Sequence, residues 1–431
     1  MHRPEVTPRP YGAPSLRRLH ATVLAALAFA IAACGGAPST PPPAGSFEIV
    51  QPFTSVGRDS IQDVAIDADG DVYLAGYASG AYLDVDHAGG RDAVAARTRA
   101  DGSVVWTADV TSPLDDEAYG VDVDADGRVA FALTTPRRFG EASFGSFKGR
   151  VVVVDADGAI EWDEVITSPE AVWAYAVAFT PSGGVAVVGE TLGAIPGESH
   201  AGGSDAYVRV FDRAGAVLWT DQFGTAETDV AADVAVDADG RVLVAARTRG
   251  ALGAGPSLGS MDALVRLYDA SGALLWSNQF GSDGFDAARR VTVDQDGGYV
   301  AVGTVGGDLV QTLTGERDAF MRRFRLDGSV AGTWQFGTVH QDDANGVAIT
   351  PSGDLVVASR FGDGGYLRGY ATSGALRFAH TFATVDGSLH VESVAVGADG
   401  TVVVAADGDG RFDAPGTGTR GAYLLVFDPV P

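Results

Sequence analysis

Cysteine and lysine are almost missing from this 431-residue chain. There is one cysteine, Cys34, and one lysine, Lys148. A single thiol excludes disulfide scaffolds, Cys-rich zinc sites and iron–sulfur clusters. With a single lysine in the chain, a Walker-type phosphate loop with its Lys is essentially excluded. Basic residues are also scarce. Thirty lysines and arginines face 56 acids, a formal charge of -26, which repels phosphate backbones, so no nucleic-acid partner is expected. Nor is there an apolar run long enough to span a bilayer as a helix: the longest, Ala21 to Ala33, has 13 residues. What is abundant is glycine, 58 residues, within a chain 46% hydrophobic. That is too apolar for disorder, and it lacks the Gly-X-Y period of collagen.

The first 46 residues read as an address and a tether. Arg17 and Arg18 precede the charge-free run Ala21 to Ala33, the layout of a secretory signal peptide over residues 1–33. The run ends Ile31-Ala32-Ala33-Cys34-Gly35. Small residues before the only cysteine resemble the bacterial lipobox, which implies that Cys34 is lipidated and becomes the mature N-terminus. Gly35, rather than Asp, implies sorting to the outer membrane or cell surface. Residues 34–46 are a Gly/Pro-rich linker with nothing to bury. The expected location is extracytoplasmic, with the membrane contacted through the lipid anchor.

Residues 47–431 are repetitive. Turn signals recur at Asp69-Gly70, Asp126-Gly127, Ser182-Gly183, Asp239-Gly240, Asp296-Gly297, Ser352-Gly353 and Asp399-Gly400. An aromatic recurs in step at Trp106, Trp162, Trp219, Trp276, Trp334 and Phe378. Each unit reads as four short strands: in the fourth copy Val234–Val236, Val242–Ala245, Ala263–Tyr268 and a strand from Leu274 to Phe280. Four antiparallel strands repeated radially make an all-β, seven-bladed β-propeller. The seventh copy stops after its third strand, while Phe47 to Phe53 resembles a fourth strand such as Trp219 to Phe223. The N-terminal strand is therefore expected to complete the last blade and close the ring.

The unit from Gly203 through Asp205-Ala206-Tyr207-Val208-Arg209-Val210-Phe211-Asp212 to Trp219 is similar to the bacterial SBBP repeat, as is the Val-Ala-Val-Asp-x-Asp-Gly segment opening the next unit. The resemblance covers about residues 47–431. It implies a surface propeller and no agreed activity.

Several residue sets are candidates for chemistry. Asp122-Val123-Asp124-Ala125-Asp126-Gly127 opens like a calcium loop, but the position of the required bidentate acid is Leu133, so these aspartates are read as making the first hairpin turn. Asp59, Asp116, Asp229, Asp286 and Asp342 stand where one blade passes to the next, and Asp92, Asp205, Asp262 and Asp318 start third strands on the same face. These carboxylates either hold a cation, calcium being the cofactor considered, or cap backbone N–H groups, and repetition favours the caps. Departures from the repeat are His87, His200 and His340, which together would suit a metal; Trp173, which would stack on a ligand; and Arg289 with Arg290 near the channel, which would hold an anion. The reading preferred for all of them is scattered loop residues plus one rim aromatic, because no spacing brings them together without the fold. The repeated Trp is similar to the tryptophan-docking motif of quinoprotein propellers, but its spacing differs, and it is read as outer-blade packing. No nucleophile elbow, H-E-x-x-H or cofactor constellation is present.

The leading expectation is a monomeric, non-catalytic module that binds a protein or carbohydrate ligand, with no cofactor required. The alternative is an extracytoplasmic enzyme, a polysaccharide hydrolase or lyase or a quinoprotein-like oxidoreductase, acting at the channel mouth. A third reading is a purely structural envelope component. The sixth unit is short between its second and third strands, Phe361 to Gly365, leaving a low point on the rim.

Overall fold

A computed structural model describes residues 47–52, 58–81, 90–136, 147–252, 257–410, 412 and 421–429. The leader, Cys34, the linker, Phe53 and His87 lie outside the described residues. The described chain is all-β: seven four-stranded antiparallel sheets, six in consecutive meander order and the seventh completed by the N-terminal strand, form the seven blades of a propeller. The inner strands are Ser60–Ile66, Glu117–Val123, Val172–Phe179, Asp229–Val236, Ala287–Val293, Asp342–Ile349 and Leu389–Val396, in blades one to seven.

Burial follows position in the blade. Second strands such as Val72–Ala78 are buried throughout and read as continuous small apolar runs, because both faces pack against neighbouring blades. Outer strands such as Val217–Phe223 run from exposed Val217 and Leu218 to buried Gln222 and Phe223. The hairpin turns are set by local chemistry. In blade four Asp237 Oδ1 accepts N–H bonds from Asp239 (3.0 Å) and Arg241 (2.9 Å). Gly240 takes φ +79°, a region that costs other residues energy. The aspartates of the calcium-like segment part ways: two act at or near the turn and one does not. Asp124 makes the same turn, accepting from Asp126 and Arg128. Asp126 pairs with Arg213 at the surface. Asp122 does neither; it faces the channel.

The ring is closed by the N-terminal strand. Phe47–Val50 pairs antiparallel with Gly421–Phe427, Phe47 opposite Phe427 and Val50 opposite Leu424. Phe47 also packs on Phe427 and Phe382, at 5.1 and 6.2 Å between ring centroids.

The repeated tryptophan does more than pack the outer strand. Trp106, Trp162, Trp219 and Trp276 each donate an indole N–H to a carbonyl in the outer turn of the next blade, those of Ala156, Arg213, Ala270 and Leu326, at 3.0 to 3.2 Å. Each ring covers that turn's positive-φ glycine so closely that a Cβ on Gly272 would sit 2.7 Å from Trp219. The indoles rivet consecutive blades together, which corrects the expectation of simple outer packing.

Candidate functional site

All seven inner strands carry a β-bulge at the same place. The extra residues are Gln62, Tyr119, Tyr175, Ala232, Arg289, Asn345 and Glu392. A bulge leaves one residue out of the ladder and re-aims its side chain. The repeat supplies the bulge and leaves the residue type free, so these seven positions differ from blade to blade.

One residue past the bulge of blade five, a side chain spans the channel. Arg290 of blade five reaches across it. Its Nε donates to Asn345 O of blade six at 3.1 Å, and its Nη2 to Gln62 O of blade one and Glu392 O of blade seven, both at 3.4 Å. Its guanidinium lies 3.6 Å from Asp63 and 3.5 Å from Asp233. Burial opposes the charge on Arg290, but these two carboxylates outweigh it and raise its pKa. The aspartates also bond the edge of the following blade: Val121 N donates to Asp63, Phe179 N to Asp122 and Val291 N to Asp233, at 2.7 to 3.1 Å. Unpaired inner-edge N–H groups are thus satisfied by carboxylates of the preceding blade. A cavity of about 270 Å³ adjoins Arg290, lined by Asp63, Asp122 and Asp233 with apolar residues. Burial raises Asp122 to about 7, and raises Asp233 to about 6 against the opposing pull of Arg290.

Before the plug, the bulge residues and their neighbours form a mouth of mixed aromatic and charged groups. Tyr119 and Tyr175 meet edge to face, 5.5 Å between centroids. The Tyr119 hydroxyl donates to Glu117, which also pairs with Arg91, and Tyr175 donates to Glu190 at 2.6 Å. Burial, reinforced by these carboxylates, raises both phenols. Trp173 stands opposite Glu190 across the strands, half-buried and 5.3 Å from the Phe147 ring. Burial, and then the charge of Arg289, lowers Arg247. Arg289 itself bonds Asp343 at 3.1 Å. Trp173 and Arg289 therefore belong to one mouth, linked through Glu190, Tyr175 and Arg247. Arg290 belongs to the plug, with its guanidinium engaged by the protein.

The repeated aspartates sit at the blade junctions and are buried. Asp59 accepts from Ser79 N, Asp116 from Ser112 N, Asp229 from Thr225 N, Asp286 from Ser282 N and Gly306 N, and Asp342 from Thr338 N, at 2.5 to 3.2 Å. Each caps a junction loop, the use that repetition favours. Burial raises Asp116, Asp229 and Asp286, and raises Asp342 to about 6. Asp205, Asp262 and Asp318 each take an amide N–H from a fourth-strand glutamine, Gln222, Gln279 or Gln335; Asp92 is buried at the matching position in blade one.

Of the three histidines, His87 lies outside the described residues, and the other two stand in different places. His200 lies 3.1 Å from Asp205 in blade three, and His340 lies at the junction of blades five and six. Among the described residues, the grouping of three metal-competent side chains is His390, Glu392 and Asp407 in blade seven. Sequence reasoning missed it because Asp407 is brought opposite His390 only by hairpin register. The one available signal was the loss of the capping aspartate, whose place is taken by Leu389.

No family model matches the chain and no curated protein matches its sequence. Among solved structures, the WD40 domain of Neurospora crassa Pan2 aligns over 86% of this chain and 90% of its own length, with 12% identity and a TM-score of 0.51. The extracellular domain of the putative hybrid two-component system BT4673 from B. thetaiotaomicron aligns over 88% of this chain at 9% identity and TM-score 0.46; this chain spans 39% of its length. A polysaccharide lyase of family PL25, ulvan lyase, aligns over 86% of this chain and 95% of its own at 11% identity and TM-score 0.47. At such identities the likeness is one of propeller fold.

Proposed function

We propose that the protein is a lipid-anchored propeller of the bacterial cell envelope that binds a protein or carbohydrate ligand at the channel mouth and performs no catalysis. The SBBP-like repeat, the leader and the lipobox-like Ala-Ala-Cys34 carry the surface and outer-membrane part of this reading. The observation that carries the binding part is the break of symmetry. The features the repeat encodes have uses inside the protein: turns, junction caps and tryptophan rivets. The bulge ring is where side chains vary and remain partly open. Trp173 with the Tyr119–Tyr175 pair offers flat apolar faces beside Arg247, Arg289, Glu190 and Asp343. Flat rings ringed by hydrogen-bonding groups suit a carbohydrate best.

Fractionation tests the anchor: Cys34→Ser is expected to move the protein from membranes to the soluble fraction, and continued pelleting refutes it. For the mouth, the wild-type mature chain is screened against envelope polysaccharides and crosslinked on cells. Trp173→Ala and Arg289→Ala are each expected to weaken capture about tenfold, ~1.4 kcal/mol. Capture unchanged in both variants moves the site elsewhere. Release of new reducing or unsaturated ends from a polysaccharide replaces binding with the enzymatic alternative.

A further inference from the structure

We propose that His390, Glu392 and Asp407 bind a divalent transition cation of the zinc class at the rim of the channel in blade seven. This site stands independently of any ligand in the mouth. His390 and Glu392 come from the inner strand Leu389–Val396, and Asp407 lies directly opposite His390 on Val402–Gly408. Glu392 is the bulge residue of this blade, between Val391 and Ser393. One ligand atom from each of the three lies within 4.8 Å of the others. Metal–ligand bonds of ~2.0–2.2 Å in a tetrahedral site place donors ~3.3–3.6 Å apart. Side-chain rotations that move the donors by about 1–1.5 Å would close the set on an ion.

Two further observations point to a ligand here. Asp407 is only 6% exposed, and its Oδ1 receives no hydrogen bond. Arg58, which pairs with Asp407, is 3.8 Å from the other oxygen, Oδ2, and its side chain is 67% exposed. A buried carboxylate beside a second carboxylate, with one oxygen left bare, calls for a positive centre. The site is also outside what the repeat encodes. Blade three has Trp173 opposite Glu190 at this register, and blade six has Asp343 opposite Arg360. No other blade sets a histidine against a carboxylate there.

The donor set selects the metal. One imidazole nitrogen with two carboxylates favours zinc or a similar first-row ion, whereas calcium prefers oxygen alone. Three protein ligands leave a coordination position open.

The test uses the mature full-length chain stripped with chelator and titrated calorimetrically with zinc chloride, then with cobalt chloride followed by visible absorption. One zinc per chain and a cobalt band are expected. His390→Ala is expected to weaken zinc binding roughly 100-fold and abolish the band, and Glu392→Gln roughly 10-fold. Asp407→Asn is expected to behave like Glu392→Gln. If it does not fold, as judged by circular dichroism, the other two variants decide. Absence of saturable uptake overturns the proposal, since a proton shared by the two carboxyls then suffices. Uptake unaltered by His390→Ala and Glu392→Gln, or calcium held more tightly than zinc, overturns it equally.

Discussion

Replacing Arg290 by methionine asks how much the plug holds the ring together. The variant keeps most of the side-chain volume and removes the charge and every donor. Asp63 and Asp233 lose their shared counter-charge, and the carbonyls of Gln62, Asn345 and Glu392 lose their donor. Breaking a buried ion pair from one side costs ~3–5 kcal/mol. The lower end applies here. Asp63 keeps bonds from Val121 N and from the Ser393 hydroxyl at 2.6 Å, and Asp233 keeps Val291 N. Their carboxyls can also take up protons. At ~2.1 cal/mol/K per residue, a body of roughly 385 residues unfolds with an entropy of ~0.8 kcal/mol/K. A loss of ~3 kcal/mol then lowers Tm by ~4 °C. Adding Asp63→Asn and Asp233→Asn to Arg290→Met should recover at least half of that, because neutral partners leave no stranded charge. Calorimetry at pH 7.5 measures all three proteins. A Tm for Arg290→Met within 1 °C of wild type, about the noise of the method, would refute the reasoning. So would a triple variant less stable than the single one.

Three other outcomes follow from the same packing. Trp219→Phe removes one indole bond to Ala270 O and should cost ~1 kcal/mol, and Trp219→Ala ~2–4 kcal/mol through lost contact with Tyr268 and Gly272; equal denaturation midpoints for the two would mean the N–H carries the contact. Deleting Phe47 to Phe53 bares the strand Gly421–Phe427 and the Phe427 ring, so aggregation or a sharply lower Tm is expected, and unchanged melting would mean the ring closes without it. Burial holds the Asp122 carboxyl high, at about 7, so the folded state takes a proton more readily than the unfolded chain, whose Asp has a pKa of ~3.9. Its stabilisation is complete below that value and lost as pH rises through about 7. Asp122→Asn should therefore raise Tm at pH 8 and reduce the gain wild type shows on acidification to pH 5, a difference of ~1–2 kcal/mol given its partial access to the cavity; identical pH profiles would count against it.

The fold was legible because its signals are local and repeated. Asp-Gly turns and the aromatic mark the period within single units, and the unmatched N-terminal strand showed how the ring closes. The plug was not legible, although Arg290 stood out as a departure. Its partners lie 228 residues away at Gln62 and 102 away at Glu392, and only a closed ring brings them to one point. The tryptophan rivets failed for a related reason: Trp106 bonds Ala156, 50 residues on, so its role belongs to the space between units and not to the unit. The inner-strand bulges escaped because each copy carries the same extra residue, and an insertion shared by all copies leaves the period unchanged.

That last point governs where function can be read in a repeat protein. A position held constant across blades serves what every blade must do, and here the capping aspartates are engaged by junction N–H groups. A position at which backbone geometry is constant while the residue varies is released from that duty. The bulge ring is such a position, with two tyrosines on one side and Arg289, Asn345 and Glu392 on the other. Tyr119, Tyr175, Glu392 and His390 lie on or beside it, yet none drew attention in the sequence, where only a turn or a strand pattern gave a residue meaning. Aligning the units on the bulge, rather than on the turn glycine, turns those scattered residues into one ring, and that ring is where substitutions should change binding while leaving the melting temperature unmoved.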